Sequence, residues 1–128
     1  MRQFVPATIL ASLAALTACQ PTAPPATQGT VAAGPITTAA AFDQVVVGRR
    51  LTLGDNHVTA NPDGTLVGEF NDAPLLGTWE FRDGRFCRTL TQHATQAATS
   101  ECQNMALNAD GSIDVTQAGG RSFTYQRG

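Results

Sequence analysis

A chain of 128 residues with 8 basic against 10 acidic side chains, and a formal net charge of −2, has room for a single domain. It lacks the dense basic face that a phosphate backbone requires, which argues against nucleic acid as a partner. Charged residues make up only 14% of the chain, well below the usual quarter, and every basic residue is an arginine, a pattern that codon bias explains.

The first element is a leader. Met1-Arg2 supplies a positive start, and residues 4–16 form an uncharged, mostly apolar run of 13 residues. That length suits a secretion signal and is too short to span a bilayer as a helix. Leu16-Thr17-Ala18-Cys19 follows and resembles the lipobox of bacterial lipoproteins, with all four positions matching. The small residues at 17 and 18 let the backbone enter a protease cleft, and the thiol is the nucleophile that takes diacylglycerol. The resemblance implies a mature protein beginning at Cys19 and carrying three acyl chains. One chain alone anchors marginally, whereas three hold a protein on a membrane without a transmembrane helix. Gln20 stands where lipoproteins of enteric bacteria that stay in the inner membrane carry Asp, so the resemblance favours the outer membrane, facing the periplasm.

Loss of the leader removes Arg2 and leaves seven arginines against ten carboxylates, a net of −3. It also turns an odd cysteine count into an even one. With Cys19 assigned to lipid, Cys87 and Cys102 remain as a pair in an oxidising compartment, where a disulfide is expected. Two separate buried thiols or a metal site are the alternatives, and the spacing matches no zinc pattern.

Residues 20–36 carry no charge and have proline at 21, 24, 25 and 35. Such a stretch buries too little surface to offset its ordering entropy and is expected to be a disordered tether. The folded domain is expected over 37–128. Thr38 is placed to cap a short helix over 39–46, with Phe42 and Val46 on one face and Gly48 suited to its end. Short apolar runs between turn signals then predict strands at 49–53, 57–60, 65–70, 75–82, 85–91, 101–107, 112–116 and 122–127. Asp-Gly and Gly-Gly between them supply the positive φ of tight hairpins. The fold class is mainly β, an antiparallel meander of about eight strands forming a small barrel or a curved sheet.

Alternation sets an inward face: Leu51 and Leu53, Leu66 and Phe70, Trp79 and Phe81, Met105 and Leu107, Ile113 and Val115, Phe123 and Tyr125. If Asp83-Gly84 is a two-residue turn, Phe81 faces Phe86, Trp79 faces Arg88, and Cys87 lies outside with Glu80. A bulged turn instead brings Cys87 inside beside Trp79. Either way the Cys87 and Cys102 strands are neighbours, joined by a loop over 92–100.

Candidate chemistry is thin. His57 and His93, with Asp55, Asp63, Glu69 or Glu101, form a metal or acid–base site only if the fold gathers them; solvated histidines are expected. Ser100, Ser112 and Ser122 sit at strand ends or turns, without a nucleophile-elbow motif. Arg82, Arg85 and Arg88 crowd one hairpin beside Glu80 and Asp83, where a solvated face of local ion pairs is the simplest outcome. No enzyme activity, cofactor or metal is expected.

Beyond the lipobox, Gly48-Arg49-Arg50-Leu51, Pro62-Asp63-Gly64-Thr65, Gly77-Thr78-Trp79, Asp83-Gly84-Arg85-Phe86-Cys87 and Cys102 resemble small exported alphaproteobacterial domains of unknown function. A looser likeness, through Trp79, Cys87 and Cys102, is to bacterial metalloprotease inhibitors, which are small β-barrels; here several strands precede the Trp. The resulting expectation is a lipid-anchored binding or envelope-interaction module with the membrane, through Cys19, and an envelope protein as partners. A periplasmic protease inhibitor and a small lipid- or ligand-binding barrel are the alternatives.

Overall fold

The computed structural model describes residues 29–93 and 98–128. The leader, Cys19 and the tether as far as residue 28 lie outside the described residues, as does the centre of the expected 92–100 loop. The elements are β1 (Gly34–Pro35), α1 (Ala39–Val45), β2 (Arg50–Leu53), β3 (Asn56–Ala60), β4 (Thr65–Phe70), β5 (Ala73–Arg82), β6 (Arg85–His93), β7 (Thr99–Leu107), β8 (Ile113–Thr116) and β9 (Ser122–Arg127).

Each of β2 to β9 pairs antiparallel with the next, and β9 returns to pair with β2. The result is a closed, eight-stranded up-and-down barrel, the closed form of the two that the strand pattern allowed. Eight strands enclose an interior just wide enough for side chains to fill or for one small ligand. β1 continues the sheet beside β6, pairing Gly34 with Leu107 and Pro35 with Ala106 on β7.

Two-residue turns at one end of the barrel are Gly54-Asp55 and Asn71-Asp72. Both residues of the second turn have positive φ, at 52° and 60°, which aspartate and asparagine tolerate better than most. At the other end, Asp83-Gly84 forms a two-residue turn with φ of 53° and 71°. It sets Phe81 opposite Phe86, Trp79 opposite Arg88 and Glu80 opposite Cys87, so the unbulged register holds. Asn61-Pro62-Asp63-Gly64-Thr65 and Asn108-Ala109-Asp110-Gly111-Ser112 make the remaining turns at that end, and they are built alike. In each, the Asp Oδ1 accepts from the backbone N–H and the hydroxyl of the residue two places on, at 2.9 and 2.6 Å. In each, the Asn side-chain amide donates to that same hydroxyl at 3.0 Å.

α1 closes this end. Thr38 Oγ1 accepts from Ala41 N–H at 3.2 Å as the N-cap, and the helix stops at Val45 with Val46 as C-cap. Seven residues are too few for a helix to persist alone; α1 is held by what it buries. Phe42 is fully buried, its ring 4.9 Å from Phe81, 5.2 Å from Trp79 and 5.4 Å from Phe86. Val45 and Val46 are buried beside it and continue into the core formed by Leu51, Leu66, Leu75, Leu90 and Ile113.

Four expectations are corrected. Residues 34–36, assigned by composition to the tether, belong to the fold: β1 pairs with β7, Ile36 is buried, and its N–H donates to the Met105 carbonyl at 2.9 Å. Pro74, expected in a loop, lies within β5 opposite Glu69. β6 runs to His93, because an irregularity between Leu76 and Gly77 leaves Thr91 as an extra residue on β6 and lets the strand bend and continue. β7 begins at Thr99, two residues before the predicted start.

Candidate functional site

The two ends of the barrel differ. One is sealed by α1, and Gly29 lies against that helix, its carbonyl accepting from Gln44 Nε2 at 2.6 Å. The described chain therefore enters at the sealed end. The far end, ringed by the 54–55, 71–72 and 117–121 turns and by the ends of β6 and β7, opens into a cavity of about 330 Å³.

Six strands and one turn line this mouth. Leu53, Phe70, Leu90, Val115 and Phe123 supply apolar surface, while Arg88, Gln103, Gln117 and Arg121 supply donors. His93 and Tyr125 complete the wall. His93 stands edge-on to Phe70, with ring centroids 5.6 Å apart and planes at 77°. Among the described residues no carboxylate lines the cavity, although the chain as a whole carries more acidic than basic groups.

Arg88 forms the floor. The pleat that sets it opposite Trp79 points it inward, and its Nη2 lies 3.4 Å from Glu101 Oε2, the two side chains being 18% and 24% exposed. Glu101 is otherwise saturated: Oε2 accepts from Gln103 Nε2 at 2.9 Å, and Oε1 accepts from Ala118 N–H at 3.1 Å. That last bond ties the 117–121 turn to the barrel interior. Arg88 Nε is buried and makes no hydrogen bond, a costly condition for a charged donor. Burial pushes the Tyr125 phenol above its usual pKa of 10.0, and the positive charge of Arg88 partly opposes the rise.

Beyond Arg88 the interior is packed. The remaining void among Leu51, Leu66, Phe86 and Met105 is about 30 Å³, the volume of one or two waters. Two further concavities lie outside the barrel. One, of about 340 Å³, crosses the outer wall over the Cys87–Cys102 bridge; another, of about 680 Å³, runs beside α1 between Val31 and Arg127.

The sequence candidates are dispersed. Cys87 and Cys102 are bonded and directly opposite on β6 and β7; the bridge staples the outer wall, with Cys87 buried. His57 faces Glu69 across β3 and β4, far from Asp63, whose carboxylate is consumed by its turn. Glu101 belongs to Arg88. Among the described residues, no three His, Cys, Asp or Glu side chains are grouped to hold a metal. Each described serine hydroxyl is engaged in a turn or cross-strand bond: Ser112 with Asp110, Ser100 with Thr89 at 2.9 Å, Ser122 with Thr116 at 2.8 Å. The arginine cluster is split by the pleat. Arg82 and Arg85 are exposed, Arg82 lying 3.4 Å from Glu80, whereas Arg88 points into the mouth. The expectation of one solvated face is corrected on that point. Phe70 and Tyr125 were expected on the inward face, whereas Gln103 and Arg121 carried no signal as site residues; only the expected Trp79–Arg88 register hinted that an arginine faced inward.

Among the described residues no helix is long and apolar enough to cross a membrane. No protein-family model, curated protein or solved structure matches the chain.

Proposed function

We propose that this chain is a non-enzymatic binding module of the cell envelope, tied to a bilayer through lipid on Cys19, which engages its ligand at the open mouth of the barrel. One observation carries the reading. Donors and aromatic rings distant in sequence converge on a concave surface at one end, while the serines are occupied by structural bonds. Pockets of this kind, apolar with a few placed polar groups, are the usual form of small-molecule sites, and roughly 300 Å³ is the lower end of their size range. Orientation supports the anchored reading, because Gly29 and β1 lie at the sealed end. On this reading the tether joins the barrel at the end opposite the mouth. The lipobox and Gln20 support an outer-membrane address on the periplasmic side.

The inhibitor alternative finds no comparable support, since Trp79, Cys87 and Cys102, which carry that likeness, serve here to pack against Phe42 and to bridge the wall. The test is site-specific photocrosslinking in the native envelope. A crosslinking residue at Thr99 or Arg121, on the mouth, is expected to capture a ligand; the same residue at Val67 or Leu76, exposed on the outer wall, is not. Equal capture at both places overturns the mouth as the binding face. A Cys19→Ala chain is expected to lose acyl labelling and remain uncleaved, and unchanged labelling overturns the anchor.

A further inference from the structure

The mouth has a charge, a size and a depth that together narrow what it accepts. Its lining contains two arginines and no carboxylate. Arg88 is already half-neutralised, since Glu101 holds Nη2 and leaves Nε without an acceptor. Arg121 is exposed at the rim. The pair of arginines thus exceeds its counter-charge by one, which suits a single negative charge and leaves a dianion under-compensated. Below Arg88 the barrel is closed to anything larger than water, so a long acyl chain cannot thread the interior. Phe70 and Phe123 flank the opening and offer apolar surface to a short body.

We infer that the mouth binds a compact amphipathic monocarboxylate, with its carboxylate between Arg88 and Arg121 and its apolar body between Phe70 and Phe123. The inference rests on the binding-face reading above and names the ligand class for that face. Guanidinium groups accept carboxylates through paired, charge-assisted hydrogen bonds, and Arg88 and Arg121 both line the mouth. Tyr125, beside Arg88 in the wall, offers a phenol that stays protonated, and so remains a donor, through neutral pH.

The test is calorimetric titration of the full chain with hydrocinnamate and octanoate, against phenylpropanol and octanol as neutral matches and phenyl phosphate as a dianion. Amide chemical-shift mapping locates each ligand. Hydrocinnamate is expected to bind at least about tenfold more tightly than phenylpropanol, the worth of one charge-assisted hydrogen bond, with shifts confined to the mouth. Arg121→Gln is expected to weaken it about threefold and to reduce its salt dependence, as a rim charge does. Arg88→Gln is expected to abolish the preference for the acid. Because Arg88→Gln also strips Glu101 of its cation, Arg121→Gln and Phe123→Ala keep the test independent of any folding loss. Equal affinity for acid and alcohol at the mouth overturns the carboxylate and leaves the binding face standing. Tighter binding of phenyl phosphate overturns the single-charge argument. Shifts located outside the mouth overturn the site itself.

Discussion

Replacing Phe42 with alanine tests whether α1 is a structural plug. The side chain is fully buried among three aromatic rings at 4.9–5.4 Å, and it is the largest side chain that α1 buries, beside Val45 and the C-cap Val46. Phe→Ala at a buried site costs about 3–5 kcal/mol, depending on how far the cavity collapses. Each aromatic pair contributes roughly 0.5–1.5 kcal/mol beyond its buried area, which places this site in the upper half of that range, about 4 kcal/mol or more. Domains of this size have about 5–15 kcal/mol in all, so the loss is a large fraction. With about 4–8 °C lost per kcal/mol, the midpoint should fall by roughly 16 °C or more. Urea unfolding followed by circular dichroism gives the free energy and its slope together. Val67→Ala, at a position 37% exposed on the outer wall, serves as the control and should change stability by no more than about 0.5 kcal/mol. A Phe42→Ala loss below about 1 kcal/mol with an unchanged slope would mean that α1 rests on the barrel without sealing it.

Further expectations concern the wall. Replacing Cys87 and Cys102 together by alanine opens a loop with a sequence separation of 15 and should cost about 3 kcal/mol on the chain-entropy estimate; an unchanged denaturation midpoint would refute that. A Cβ at Gly77 would collide with the Thr89 carbonyl and lie 3.1 Å from Leu90 Cα, so Gly77→Ala should lose about 1–3 kcal/mol. Gly119→Ala, with open space around it, should lose almost nothing. Hydrogen bonds from Thr65 and Ser112 hold the Asp63 and Asp110 carboxyls below their usual 3.8. Depressed carboxyl pKa values stabilise the fold fully above the unfolded value, and the contribution is lost as pH falls through the folded one. Stability should therefore drop as pH falls below about 4, and Asp63→Asn with Asp110→Asn should flatten that drop. Tyr125 is the one tyrosine of the chain, so absorbance titration reads it alone. It should ionise above pH 10, later still in Arg88→Gln, and an earlier transition would contradict its burial.

The repeating turn chemistry was the most legible part of the chain. β4 starts and ends where the 65–70 run predicted, because Gly64 and Asn71-Asp72 bracket it with positive φ. Asp83-Gly84 likewise announced its hairpin. What stayed hidden depends on contacts distant in sequence. Residues 34–36 read as tether because nothing nearby reveals that Ile36 is covered by the barrel. Pro74 reads as a loop residue because its place in β5 is set by pairing with β4. The shared Asn-x-Asp-Gly-Thr/Ser pattern at 61–65 and 108–112 was present in the text, and its matched hydrogen bonds account for it. The mouth was the least legible. Phe70, Arg88, Arg121 and Tyr125 meet only after the sheet has curled shut; alternation places Phe70 and Tyr125 inward without saying that they converge at one end, and Arg121, in a turn, is placed by nothing local.

The seam between β2 and β9 is where the cylinder joins itself. Leu51 pairs with Arg127, and Gly128 N–H donates to the Arg50 carbonyl at 2.8 Å. The first strand of the barrel therefore waits, with one flank unsatisfied, for the strand made some seventy residues later. Any cut that removes residues 122–128 does more than shorten the chain: it leaves both β2 and β8 as raw edges on an open sheet, the kind of surface that recruits other strands. During synthesis, the same arrangement defers closure of the barrel until β9 has been made.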